Sequence, residues 1–155
     1  MILTIDYRLT GSGWADCTIR ADRSDCKLSA SYLSDALGKL ILAAAAVLAG
    51  AHSVSVGFDE EPGEYRWSVV RTDGETIRIS ILSFHDLWGN LPEADGTLML
   101  SVSCTPLDFG KAVHGAAEAV LEKHGLADYN KQWGHAFPSQ ELELLRSYIA
   151  VWERT

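Results

Sequence analysis

The chain has 155 residues, a length at which a single core buries roughly two-thirds of the unfolded surface, so one domain spanning 1–155 is expected. Hydrophobic residues make up 47% and charged residues 22%, which excludes disordered and fibrous classes. Twenty-one acids against thirteen bases give a formal charge of −8, a balance that repels phosphate backbones and anionic lipid and favours a basic protein partner.

The acidity is uneven. Residues 1–27 are neutral, whereas residues 28–84 carry seven acids against four bases and residues 85–155 carry ten against five. The three cysteines, Cys17, Cys26 and Cys104, lack CxxC spacing, and the N-terminus has no apolar signal core. A reducing, cytoplasmic setting is expected. The longest apolar run, Leu40 to Ala51, is too short for a membrane span and reads as a buried helix.

Leu3, Ile5, Tyr7 and Leu9 alternate with polar residues as a half-buried strand, and Trp14 to Arg20 returns after Gly11-Ser12-Gly13, giving a hairpin. Asp22 to Lys27 reads as polar and irregular. Ser29 or Ser31 then caps a helix through Tyr32, Leu33, Leu37, Leu40, Ile41, Ala44 and Leu48, closed by Gly50 and expected to span Tyr32 to Ala49.

Three alternating segments follow as a meander. Val54, Val56 and Phe58 belong to the first, Tyr65, Trp67 and Val69 to the second, and Ile77, Ile79 and Ile81 to the third. Their turns are Asp59-Glu60-Glu61-Pro62-Gly63 and the Asp73-Gly74 pair. Ser83 to Gly96 reads as a long loop with room for one short helical turn. Thr97 to Cys104 is a last strand with Leu98, Leu100, Val102 and Cys104 on one face. An amphipathic helix carries Leu107, Phe109, Val113, Ala116, Val120 and Leu121 and ends at Gly125, and Ser139 caps a final helix with Leu142, Leu145 and Ile149.

The order ββ-α-ββββ-αα predicts an α+β fold: a six-stranded antiparallel sheet with its helices packed on one face. The other face would carry Asp6, Arg8, Arg66, Ser68, Arg78, Ser80, Ser101 and Ser103, a polar docking surface.

No motif assigns a catalytic residue. There is no GxSxG, GxGxxG, P-loop or HExxH, and the five histidines include no i, i+4 pair, so neither metal nor cofactor is expected. Cys26, just before the expected helix, has the best electrostatic setting for a reactive thiol. Asp59, Glu60, Glu61 and Glu64 surround one hairpin turn, either as a solvated tip or as a protein contact. Trp88 and Trp133 lie in segments without apolar period, where a tryptophan either plugs the end of a core or anchors a partner.

The segment Asp59 to Leu91, DEEPGEYRWSVVRTDGETIRISILSFHDLWGNL, together with the SQELELL of the last helix, resembles small bacterial proteins. In size, acidity and α+β layout the chain is similar to immunity proteins of contact-dependent and polymorphic toxin systems. That resemblance implies a non-enzymatic protein that covers a toxin domain. The expected contact surface joins Asp59, Glu60, Glu61 and Glu64 to His85, Asp86 and Trp88, because a meander brings alternate turns to the same end of a sheet. Two other readings stay open: a small-ligand or hydrolytic domain with a pocket between sheet and helices near His85 and Asp86, and a structural accessory protein.

Overall fold

The computed structural model describes residues 2–60, 62–86 and 91–155. The chain opens with β1 (Leu3–Gly11), β2 (Trp14–Ala21) and β3 (Ser24–Ser31), continues through α1 (Ala36–Leu48), and then forms β4 (Ser53–Glu60), β5 (Gly63–Arg71) and β6 (Ile77–Phe84). A short 3-10 turn at Glu93–Asp95 precedes β7 (Thr97–Cys104), α2 (Pro106–Trp133) and α3 (Ser139–Glu153).

The α+β class holds, but the strands divide between two antiparallel sheets, β1-β2-β3 and β4-β5-β6-β7, in place of the single six-stranded sheet expected. The added strand is β3. Its inward residues, Cys26, Leu28 and Ala30, are few and small, while Asp25, Lys27 and Ser29 dominate its outward face. The apolar signal is therefore faint, and pairing with β2 along its whole length supplies what intrinsic preference does not. Ser29 and Ser31 belong to that strand, so the first helix starts at Ala36, with the Asp35 side chain accepting from the Gly38 N–H.

β3 ends the first sheet, and the chain enters the second only after α1. No ladder joins β3 to β4, although β3 lies against β4, β5 and β7. The sheets share one buried cluster with all three helices. Aromatic contacts mark its path: Tyr7 to Phe58 at 6.4 Å between ring centroids, Phe58 to Trp67 at 5.7 Å, and Trp67 to Phe109 at 6.4 Å. These contacts run from the first sheet through the second to α2.

α1 is buried nearly all round, as its alanine run allows, and packs on α2, α3 and β4 instead of lying flat on one sheet. Its last carbonyls are held from outside: Arg71 Nη2 donates to Val47 O at 2.8 Å and Trp152 Nε1 to Leu48 O at 2.8 Å. α2 covers β1 and opens with a capping box between Thr105 and Asp108. Gly125, where that helix was expected to end, breaks it with φ 72°, yet helix resumes to Trp133.

Two further expectations are corrected. Asp6 and Arg8 stand on the three-stranded sheet, so they share no face with Arg66 and Arg78. In β7 a bulge intervenes: Ile81 pairs with Leu100 but Leu82 with Leu98. The extra residue flips Leu98 off the core side, leaving it and Met99 exposed.

Candidate partner-binding surface

The acidic end of the β4–β5 hairpin is built by register. Asp59 pairs with Glu64 and Glu60 with Gly63, so the turn between is two residues long. Gly63 is required by a neighbour: a Cβ there would sit 2.2 Å from the Phe84 carbonyl oxygen, so only a glycine lets the end of β6 come so close. Glu64 in turn pairs with Phe84, and the chain leaves β6 directly into His85 and Asp86, both exposed. The hairpin end and the start of the loop are thus neighbours, as meander parity implies. Glu61 and Trp88 lie outside the described residues.

The carboxylates at this corner are not equivalent. Glu64 is no solvated tip residue: its side chain is 12% exposed and accepts from Arg66 Nη2 at 3.1 Å, with Arg66 equally enclosed. Arg66 also donates from Nη1 to Leu91 O at 2.7 Å, and its guanidinium lies 4.1 Å from the centre of the Phe84 ring. Asp59 and Glu60 are half-buried and Asp86 is exposed, and none of them makes an ion pair among the described residues. Burial, and after it the neighbouring Glu60 carboxylate, raises the Tyr65 hydroxyl above its ordinary pKa.

Sequence reasoning missed an aromatic here. Trp14 pairs with Ser31, so the two side chains share a face, and Ser31 Oγ donates to the Asp59 carbonyl at 3.0 Å. Trp14, 37% exposed, is thereby brought to the acidic end of β4. Tyr32, 55% exposed, follows at once and donates its N–H to Gly13 O at 2.8 Å. The available signal was phase: Ala15, Cys17 and Ile19 face the core, which leaves Trp14 on the outward side of its strand.

The other tryptophan singled out, Trp133, is buried in the last turn of α2 and seals the core. Cys26 sits within β3, away from any helix start, and burial raises its thiol pKa. Cys17 and Cys104 are buried too. Among the described residues no three His, Cys, Asp or Glu side chains gather as a metal-binding set. Open clefts of about 430–440 Å³ lie between β1 and α2, at Ile5, Asp108 and Lys111, and between α1 and β4, at Leu42, Val54 and Val56. Neither includes His85 or Asp86. Among the described residues no helix is long and apolar enough to cross a membrane.

No protein-family model matches the sequence, and no curated protein matches it either. In fold the chain is similar to a chain of the solved CdiA-CT/CdiI toxin and immunity complex from Enterobacter cloacae, with a TM-score of 0.51 and 10% identity over 76% of this chain and 99% of that one. At this identity the likeness is one of fold. The layout read from the sequence as similar to immunity proteins therefore recurs in a solved toxin and immunity complex.

Proposed function

We propose that the chain is an immunity-type inhibitor, a non-enzymatic protein that neutralises a toxin domain by covering it. The observation that carries this reading is the fold likeness to a chain of a toxin and immunity complex. That complex contains two kinds of protein, and charge favours the inhibitor: a chain at −8 is ill suited to approach phosphate backbones and well suited to meet a basic protein. The contact surface is the corner formed by Asp59, Glu60, Glu61 and Glu64 with His85, Asp86 and Trp88, to which Trp14 adds an aromatic.

The test is genetic first. The gene beside this one is expected to encode a large secreted protein with a variable C-terminal domain. Expression of that C-terminal domain should arrest growth, and co-expression of this chain should restore it. Growth arrest by this chain alone, or co-expression without rescue, would overturn the proposal. Given a cognate domain, Glu60→Lys with Glu61→Lys should slow association and weaken its salt dependence, while Trp88→Ala should chiefly speed dissociation.

A further inference from the structure

We infer that Arg66 is the positioning residue of this corner: one guanidinium clamps both ends of the connection from β6 towards β7 and so fixes His85 and Asp86 beside Asp59 and Glu60. The partner-binding role of the corner rests on the reading above; the clamp itself does not.

Arg66 holds the outgoing end through Phe84, over whose ring it lies at 4.1 Å, and through Glu64, the register partner of Phe84. It holds the returning end through Leu91 O at 2.7 Å. A planar guanidinium can donate along two edges while its face rests on a ring, which a single ammonium cannot do. The returning chain is also seated on the same aromatic: a Cβ at Gly96 would meet Phe84 Cζ at 2.7 Å, so glycine lets the backbone lie directly on the ring. Between Leu91 and Gly96 the chain makes a tight turn, with Asp95 N donating to Pro92 O and Gly96 N to Glu93 O, each at 3.0 Å.

Two further features show the clamp to be built into the fold. The pair is 88% enclosed on each side, so water competes little for the guanidinium. Phe84 and Leu82 are both buried although they lie on the sheet face opposite Ile79 and Ile81, and the returning segment at Gly96 is what the structure places over Phe84. The outer face of the four-stranded sheet therefore carries a small packed centre of its own, with Arg66 at its middle.

Asp59, Glu60, His85 and Asp86 then meet a partner already ordered, and little conformational freedom of theirs is lost on binding. An Arg66→Ala change would leave the enclosed Glu64 carboxylate unpaired and confuse local with global loss. The informative variants are therefore Arg66→Lys, which keeps the charge without the fork, and the double variant Arg66→Met/Glu64→Gln, which removes both charges.

Native-state hydrogen exchange on the free protein reads the Asp95 and Gly96 amides, with urea unfolding in parallel. In the double variant these two amides should exchange about tenfold faster or more, with Arg66→Lys intermediate, while core amides of β5 and β6 change no more than the urea midpoint requires. Unchanged exchange at Asp95 and Gly96, or a rise equal to that of the core amides, overturns the clamp. In the growth-rescue assay the double variant should protect less than the wild type at equal expression; equal protection despite faster exchange overturns the positioning role. Failure of the wild type to protect refutes the inhibitor reading alone, since the exchange result still decides the clamp.

Discussion

Raising the pH above 9 should destabilise this protein steeply, and the cause is its buried thiols. Burial, with a smaller push from Asp108, moves the Cys104 thiol from 9.0 to about 12. Burial moves Cys17 up further still from the same starting value. Between pH 9 and 12 the unfolded chain has released these protons and the folded chain keeps them. The folded state then binds more protons, and stability must fall as pH rises. The contribution is complete below pH 9 and is lost through the window up to the folded values. Each thiol costs about 1.4 kcal/mol by pH 10, or about 3 kcal/mol for the two, against a typical total of about 5–15 kcal/mol. Tyr7 and Tyr129, also raised chiefly by burial from 10.0, steepen the fall beyond pH 10. The assay is urea unfolding under reducing conditions at pH 7, 8, 9 and 10, for the wild type and for Cys17→Ala/Cys104→Ala. The double variant starts weaker at pH 7 but should lose much less between pH 8 and 10. A wild-type midpoint that is flat to pH 10, or an equal decline in both proteins, would refute the reasoning.

Trp67→Ala removes the side chain that touches both Phe58 and Phe109 and should cost about 3–5 kcal/mol, read as a drop in urea midpoint. Gly63→Ala should cost about 3 kcal/mol or more by driving β5 off the Phe84 carbonyl, whereas Gly115→Ala, on an open face of α2, should stabilise by up to about 1 kcal/mol. Arg71→Ala frees the Val47 carbonyl at the end of α1 and should cost about 1–2 kcal/mol, with exchange rising first at the last turn of that helix.

Legibility followed the strength of the period. β1 and β6 were readable because each buries three alternate residues of good size, Ile5, Tyr7 and Leu9 in one and Ile77, Ile79 and Ile81 in the other, and the Asp73-Gly74 turn fixed the hairpin from β5 into β6. β3 was hidden because Cys26 and Ala30 contribute little apolar bulk, and its loss moved the helix start from Ala36 back to the serines. Periodicity states which residues face a core but not which strands share a ladder, so the two sheets formed by the described residues could not be told from one sheet. The bulge at Leu98 likewise depends on β6, not on β7 alone. At the candidate surface, meander parity was enough to bring Glu64 beside Phe84. Placing Trp14 needed its pairing with Ser31 and the Ser31 hydrogen bond to Asp59, 28 residues further on, and Arg66 needed a contact 25 residues away, to Leu91; no local pattern encodes those.

The acidic corner differs from an ordinary hairpin tip in how many separate devices hold it. Ser31 ties the end of β4 to the first sheet, Gly63 admits the Phe84 carbonyl against β5, and Arg66 joins Phe84, Glu64 and Leu91. If this surface meets a basic partner as proposed, it loses little freedom, and the charges of Asp59, Glu60 and Asp86, which make no ion pair among the described residues, should act mainly on encounter. Salt should accordingly alter the association rate of a basic partner far more than its dissociation rate. Trp14 carries no charge and stands exposed on the outward side of β2, so Trp14→Ala should do the reverse, speeding dissociation and leaving the salt slope of association unchanged. Measuring both rates for Trp14→Ala and Asp59→Lys across a salt series separates the two contributions. If both variants change the same rate with the same salt slope, the corner does not divide its work in this way and the contact surface lies elsewhere, on the serine-rich face formed by Ser80, Ser101 and Ser103.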